Sequence, residues 1–207
     1  MPMLLPYALA LATTTAVADA PLATEGPDVD RFLFTLGLGA GGAVTGIGGG
    51  LELDLGLGLR FDALALGIAG GVSAYGLTSG AASLSLQAGP TFELEPGNQL
   101  DLLAELGVRE EYQGGQLFDG DPGVSQSYPF LGARIGVDWA LGDPMSAVVF
   151  RLGLQGWARA DLAGPDEFAY EYEDCFFTCS TESAEHELGG VVDLGALVTL
   201  SLDFAMN

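Results

Sequence analysis

The stretch GGLELDLGLGLRF, which runs from Gly49 to Phe61, decides the fold of this chain. Large apolar side chains occupy every second position of it, namely Leu51, Leu53, Leu55, Leu57, Leu59 and Phe61. The positions between them hold glycine, Glu52, Asp54 and Arg60. A repeat of two residues is the side-chain period of a β-strand, whereas a helix would spread these leucines around its axis. We therefore predict a strand with one aliphatic face and one face of glycine and charge.

The same alternation recurs along the chain and predicts eight strands. They cover about residues 31–41, 49–61, 63–75, 81–94, 99–112, 128–140, 146–161 and 188–204, with a short turn over 41–46. Each strand reaches the roughly 9–11 residues that a tilted membrane strand needs. An even number of antiparallel strands lets the first pair with the last and leaves no open sheet edge. The predicted fold is all-β, an eight-stranded antiparallel up-and-down transmembrane β-barrel over residues 31–204.

The composition suits such a barrel and argues against a nucleic-acid partner. The chain has 207 residues, with 32 glycines, 28 acidic residues and 6 basic residues, and a formal net charge of −22. All of the basic residues are arginine, and contacts to phosphate need Lys and Arg. High acidity with low hydrophobicity would indicate disorder, but 49% of the residues are hydrophobic. A strand-built membrane protein with much of its charge in loops combines these properties.

Alternation alone also fits a soluble, ligand-carrying barrel with its leucines inside. Three features favour leucines that face lipid. The opposite face is rich in Gly, Ser and Asp and has no lysine, unlike a water-exposed surface. It also carries the arginines, which can pair with carboxylates there, as buried charges require. Aromatic residues on the leucine face gather at one end, as in the interfacial girdles of outer-membrane barrels: Phe32, Phe34, Phe61, Phe92, Trp139, Phe150 and Phe204.

The charged residues on the glycine face form the predicted lumen network. Its members share the strand parity opposite to the leucines: Arg60, Arg109, Arg134, Arg151, Arg159, Glu52, Asp54, Glu93, Asp101, Glu105, Asp138 and Asp193. The interior of an eight-stranded barrel is just wide enough to be filled by side chains. We therefore predict a plugged, charge-paired lumen.

The two ends of the chain and its loops predict an exported protein with a defined orientation. Residues 1–18 resemble a signal peptide that ends in an A-x-A cleavage site at Ala16-Val17-Ala18. A polar periplasmic lead, 19–30, follows it. The predicted long loops are 113–127 and 163–187, and long loops of such barrels face outward. Both termini are therefore expected in the periplasm and the long loops outside the cell.

The loop over 163–187 carries the remaining candidate chemistry. Cys175 and Cys179 are predicted to form a disulfide, because paired cysteines in an exported chain usually do. Glu171, Glu173 and Asp174 are weak candidates for binding Ca²⁺ or Mg²⁺, which prefer oxygen ligands. A solvated acidic loop is the favoured alternative, since EF-hand spacing is absent. No cofactor is expected.

This pattern over residues 31–204 resembles the small eight-stranded outer-membrane barrels of Gram-negative bacteria, the OmpA/OmpX-like group. The resemblance implies contact with outer-membrane lipid and lipopolysaccharide, and handling by the barrel-assembly machinery during biogenesis. Proteins of the group often end on an aromatic residue that this machinery reads, whereas here the tail 205–207 follows Phe204. A monomer is favoured.

Three functions remain open at this point. The first is a structural or surface-interaction protein with a plugged lumen. The second is a narrow pore, which the many small inward residues would allow. The third is a lipid A-modifying enzyme, because some barrels of this kind use a histidine near the outer rim. His186 is the single histidine here, but no nucleophile motif surrounds it, so we assign no catalytic residue.

Overall fold

The computed structural model of the protein describes residues 32–45, 48–61, 63–75, 79–114, 123–175, 179–190 and 192–206. These residues form ten strands: β1 Phe32–Thr45, β2 Gly48–Phe61, β3 Leu64–Tyr75, β4 Ser79–Glu95, β5 Asn98–Gln113, β6 Val124–Ala140, β7 Val148–Asp161, β8 Asp166–Cys175, β9 Cys179–Leu188 and β10 Val192–Met206. Across this described part of the chain, no helix has the length and apolar character to cross a membrane.

Eight of the strands form a closed antiparallel barrel. Their order around the barrel is β1-β10-β7-β6-β5-β4-β3-β2, and β2 returns to β1. The first and last strands close the ring with a register that runs from Phe32↔Met206 to Val44↔Leu194. Lipid offers no hydrogen-bond partner to a free backbone group, so closure is what a membrane-spanning sheet needs. The predicted eight-stranded barrel is confirmed.

The leucines cover the outside of this barrel. On β2, Leu51 is 74% exposed and Leu55 is 55% exposed, whereas Glu52 is 1% and Asp54 is 5% exposed. Adjacent residues of a strand point to opposite sides of the sheet, so the aliphatic row faces outward and the charged row faces the lumen. The alternative of a soluble barrel with its leucines inside is wrong.

Aromatic residues mark one end of the barrel. The rings of Phe32 and Phe61 stack with centroids 5.8 Å apart, and those of Phe34 and Phe204 lie 6.2 Å apart. This end also holds the tight turn Pro96-Gly97 between β4 and β5. We call it the turn end. The opposite end, from which β8 and β9 emerge, is called the hairpin end.

The predicted turn over residues 41–46 is wrong, because β1 continues to Thr45. The glycines that suggested a turn lie in the ladder, where Gly41 pairs with Glu52 and Gly42 with Leu51. A Cβ atom on Gly41 would collide with the backbone of β10 at Ala196. Glycine at this position therefore permits a close approach of two strands and does not end one.

The predicted loop over 163–187 is also wrong in its structure. Its backbone forms a two-stranded sheet of β8 and β9, paired from Asp166↔Leu188 to Cys175↔Cys179. The alternation here is between acidic and aromatic residues, as in Phe168-Ala169-Tyr170-Glu171-Tyr172, and aromatic residues favour strands. The predicted loop over 113–127 is shorter than expected, since β5 ends at Gln113 and β6 begins at Val124.

Candidate functional site: the barrel lumen

The lumen of the barrel is lined by charged side chains that the strand parity directs inward. Five arginines are buried there, on β2, β5, β6 and β7: Arg60, Arg109, Arg134, Arg151 and Arg159. Nine carboxylate side chains are buried among the described residues: Glu52, Asp54, Asp101, Glu105, Glu111, Asp138, Asp161, Asp193 and Asp203. Nine formal negative charges against five positive charges leave an excess of four negative charges in this set.

Arg60 and Arg151 form the turn-end cluster. Arg60 Nη2 lies 2.5 Å from Asp101 Oδ2 and 3.1 Å from Asp138 Oδ2. Its Nη1 lies 3.4 Å from Asp203 Oδ2. Arg151 donates from Nε to the same Asp203 oxygen and from Nη1 to the Gly97 carbonyl at 2.6 Å. Strands β2, β5, β6, β7 and β10 are therefore linked across the lumen.

Arg134 and Arg159 form the middle cluster around a shared carboxylate. Arg134 Nη1 lies 2.6 Å from Asp54 Oδ2, and its Nη2 lies 3.4 Å from Glu105 Oε1. Arg159 Nε lies 2.9 Å from Glu105 Oε2 and its Nη1 lies 3.0 Å from Glu52 Oε1. Glu105 thus bridges two arginines, which gives each charge a partner away from water.

Arg109 forms the hairpin-end cluster. Its guanidinium lies 2.7 Å from Asp161, 3.1 Å from Glu111 and 3.4 Å from Asp193. Glu111, near the end of β5, also accepts a hydrogen bond from the Gly189 N–H at 2.9 Å. The cluster therefore holds the segment after β9 against the barrel rim.

Aromatic and aliphatic side chains fill the lumen toward the hairpin end. Trp157 packs with Tyr75, Leu197 and Ala43 in one buried cluster. Arg159 lies over the Trp157 ring at 5.2 Å and over the Phe130 ring at 5.4 Å from the centroids. Such stacking of a guanidinium on aromatic faces is favourable. This half of the lumen is therefore packed as well as paired.

The lumen toward the turn end contains open space. One cavity of about 100 Å³ is lined by small residues and by members of the turn-end and middle clusters: Gly37, Gly56, Gly58, Asp54, Arg60, Asp101, Arg134, Asp138 and Thr199 among them. A larger vestibule of about 500 Å³ lies at the rim, lined by Thr91, Gln99, Pro144, Arg151 and Asp203 among others. Arg60 lines both spaces.

The structure brings all of the predicted network residues but one into buried ion pairs. Glu93 is the exception, because it is exposed near the turn end and accepts a hydrogen bond from the Gly97 N–H at 3.2 Å. The pairing of β4 with β5 becomes irregular between Glu93 and Glu95. The prediction missed Glu111, Asp161 and Asp203. The strand alternation places each of them on the lumen side, as it does an arginine on the same or a neighbouring strand. That alternation could have identified them as members of the network.

The hairpin of β8 and β9 leaves several sequence predictions in place as predictions. The Cys175 and Cys179 backbones are paired at its tip, but their side chains lie outside the described part. The side chains of Glu173, Asp174 and His186 lie outside it too, and so does the predicted signal peptide. Glu171 is exposed. Among the side chains that are described, no group of three or more His, Cys, Asp or Glu is placed to hold a metal ion.

No protein-family model matches this sequence, and no curated protein matches it either. Solved structures are similar to it over most of its length. Neisserial surface protein A (NspA) gives a TM-score of 0.53 at 12% identity, over 84% of this chain and 97% of that one. The attachment invasion locus protein Ail of Yersinia pestis, in complex with a heparin analogue, gives 0.46 at 12%, over 86% and 99%. The outer membrane protease OmpT of Escherichia coli gives 0.32 at 9%, over 89% and 99%.

The closed barrel, its aliphatic exterior and its charged interior define the class of this protein. It has the architecture of a small outer-membrane β-barrel, as the resemblance implied. Within that class the likeness to NspA is one of fold, because only 12% of the aligned residues are identical.

Proposed function

We propose that this protein is an outer-membrane barrel with a plugged lumen that serves as a structural or surface-interaction protein. The observation that carries the proposal is the packing of the hairpin-end half of the lumen. Phe130 is fully buried and Trp157 is 4% exposed, and Arg159 lies against both rings. A water-filled channel needs a continuous polar passage, and bulky side chains locked by ion pairs close it.

The outer hairpin supports a role at the cell surface. Glu167, Glu171, Glu185 and Glu187 are all exposed. The register pairs Glu167 with Glu187 and Ala169 with Glu185, so these acids share one face of the hairpin. Glu167 and Glu187 stand directly opposite each other, and like charges so placed destabilise a hairpin, so this pair is a costly choice for a purely structural element. The hairpin is proposed to face outward and to meet cationic groups, while both termini lie in the periplasm.

Conductance of the purified, folded barrel in a planar bilayer tests the plug. The wild type is expected to be silent, and the double variant Trp157→Ala with Phe130→Ala is expected to give discrete steps. Phe150→Ala is the matched control, because it removes an aromatic ring from the lipid-facing side, where Phe150 is 60% exposed. A difference in gel mobility between unboiled and boiled samples verifies that each barrel has folded.

The narrow pore is the second candidate, favoured by the cavity and vestibule that lead from the turn end toward the middle of the lumen. Discrete conductance steps from the wild-type barrel would overturn the plugged lumen and select the pore.

Binding of a polylysine peptide to barrels in neutral lipid vesicles tests the surface role. Replacing Glu167, Glu171, Glu185 and Glu187 with Gln is expected to weaken the binding and its salt dependence. The matched control replaces Glu93 and Glu95, exposed acids of the turn end, with Gln. Equal peptide affinity for both variants would count against an acidic docking face.

A further inference from the structure

The 100 Å³ cavity of the lumen holds the strongest unexplained feature of the structure. It lies where the turn-end and middle clusters meet, since its lining includes Arg60 with Asp101 and Arg134 with Asp54. A Cβ atom built on Gly56 meets nothing within 4 Å, so the space is real at that wall. The cavity is polar and large enough for about three waters at roughly 30 Å³ each.

Three oxygen atoms in this lining, Asp54 Oδ1, Asp101 Oδ1 and Thr199 Oγ1, have no hydrogen-bond partner in the described part of the protein, and neither has the donor Arg134 Nε. Asp54, Asp101 and Thr199 are more than nine-tenths buried, at 5%, 4% and 7% exposure. In each aspartate the other oxygen is engaged, with Arg134 at 2.6 Å and Arg60 at 2.5 Å. Buried polar atoms are rarely left unsatisfied, because the loss of water is costly. The three oxygens therefore indicate a bound species, and a water bound with it can accept a hydrogen bond from Arg134 Nε.

The charge of the lining indicates the sign of that species. Asp54, Asp101 and Asp138 face Arg60 and Arg134, so three negative charges oppose two positive charges and one net negative charge remains. Arg60 is shared by three carboxylates and Arg134 by two. The guanidinium charges are thus already matched, and the free carboxylate oxygens attract a cation.

We propose that this cavity binds one partly hydrated monovalent metal cation of the size and hardness of Na⁺, held by Asp54, Asp101 and Thr199. A hard cation takes oxygen ligands, and Ca²⁺ would need six to eight of them, usually from several carboxylates. Two free carboxylate oxygens, one hydroxyl and the water that the cavity can hold suit a single positive charge instead. One such ion neutralises the lining.

The vestibule gives the ion a route from the turn end. Arg60 lines both the cavity and the 500 Å³ vestibule. The other direction is packed with Trp157, Leu197 and Tyr75. The cation site therefore opens to one side of the membrane. Binding of the ion does not require conduction, so the site is compatible with a plugged lumen and with an open one.

The test compares NaCl with choline chloride at equal ionic strength, using the full barrel folded in a nonionic detergent. The Na⁺ salt is expected to raise the midpoint temperature of unfolding, because a ligand that binds only the folded state stabilises it. Sodium NMR is expected to show line broadening that saturates with Na⁺ concentration. Choline carries the same charge on a quaternary ammonium group and offers no site for oxygen ligands.

Three variants assign the response to the cavity. Asp54→Asn and Thr199→Val are each expected to raise the apparent Kd for Na⁺ at least about tenfold. Gly56→Val fills the cavity and leaves all three oxygens in place, so it is expected to abolish the line broadening. Glu95→Gln removes an exposed carboxylate outside the linings of the cavity and the vestibule, and it is expected to respond like the wild type. Thr199→Val and Gly56→Val decide the question if Asp54→Asn does not fold.

Two results would overturn the assignment. Equal unfolding midpoints in NaCl and choline chloride, with no saturable broadening, would mean that the cavity holds water only. A response to CaCl₂ at concentrations where NaCl has no effect would mean that the site is divalent.

Discussion

The two halves of the lumen use the same residue, glycine, to opposite effect. Toward the hairpin end, a Cβ atom on Gly195 would run into the Trp157 ring, and one on Gly107 would lie 2.7 Å from Phe130 Cζ. Toward the turn end, Gly56 faces empty space. Where a large residue lies across the lumen, glycine therefore makes room for its ring. Where no large residue lies opposite, glycine leaves a cavity. The plug depends on the aromatic partners and not on the number of small inward positions.

The largest effect is expected from removing a charge in the packed half. Arg159→Met leaves Glu52 without its arginine and takes one of two arginines from Glu105. Breaking a buried ion pair by removing one partner costs about 3–5 kcal/mol. Urea unfolding of barrels in lipid vesicles, followed by tryptophan fluorescence, measures the loss.

Arg151→Met is the matched variant for the open half. Asp203 keeps Arg60 and also accepts a hydrogen bond from Thr35 at 2.7 Å, and the vestibule lets water reach the site. The loss of unfolding free energy is therefore expected to be clearly smaller than for Arg159→Met. Equal losses would show that the two halves do not differ in how they hold charge.

The outer wall should not distinguish the two halves. Leu53 and Leu57 lie on the lipid-facing row of β2, at 55% and 47% exposure, on either side of Leu55. A Lys near the bilayer midplane of a barrel costs about 2–4 kcal/mol. Leu53→Lys and Leu57→Lys are expected to lose similar free energies of unfolding in vesicles. A large difference between them would mean that the halves differ on the lipid side as well.

Replacing one glycine by alanine in each half of the lumen is expected to have a smaller effect on the free energy of unfolding. Gly195→Ala forces the Trp157 ring to move and is expected to destabilise the barrel by about 1–3 kcal/mol, as overpacking does. Gly56→Ala adds a methyl group to open space and stiffens a strand residue, so we expect a gain of about 0.5–1 kcal/mol. The pair of urea midpoints, measured in choline chloride so that no Na⁺ occupies the cavity, checks both signs. Destabilisation by Gly56→Ala under these conditions would mean that the wall at Gly56 is not open.

The barrel could be predicted from the sequence because one signal, the period of two, determines both strand and face. The leucine row of Gly49–Phe61 assigns the outside, and the parity of Arg60 and Asp54 assigns the inside. The hairpin of β8 and β9 was missed because its alternation sets acids against aromatics, whereas the barrel strands set aliphatic residues against glycine and charge. The end of β1 was missed because glycines that admit a neighbouring strand look like glycines of a turn.

The partners within the lumen could not be predicted, since parity gives the side of a residue and not its height. Arg60 on β2 forms ion pairs with Asp101 on β5 and Asp138 on β6. Neither β5 nor β6 is a neighbour of β2 in the sheet. These contacts depend on how far each strand is shifted when the barrel closes. Glu93 is the opposite case. The strand alternation directs it to the lumen side, but its position along the barrel axis places it at the exposed rim.

The smallest effect is expected at the turn that borders the vestibule. Gly97 has φ 87°, where a side chain is strained, and its Cβ would lie 2.9 Å from Pro144 Cβ. Gly142, in the facing connection, has φ 123° but meets nothing within 4 Å. Gly142→Ala carries only the backbone strain, about 1 kcal/mol. Gly97→Ala adds a clash and shifts the carbonyl that accepts from Arg151 at 2.6 Å, so its loss of unfolding free energy should be the larger of the two. Equal losses in urea would contradict this expectation and would show that the hydrogen bond of Arg151 does not depend on the turn at Gly97.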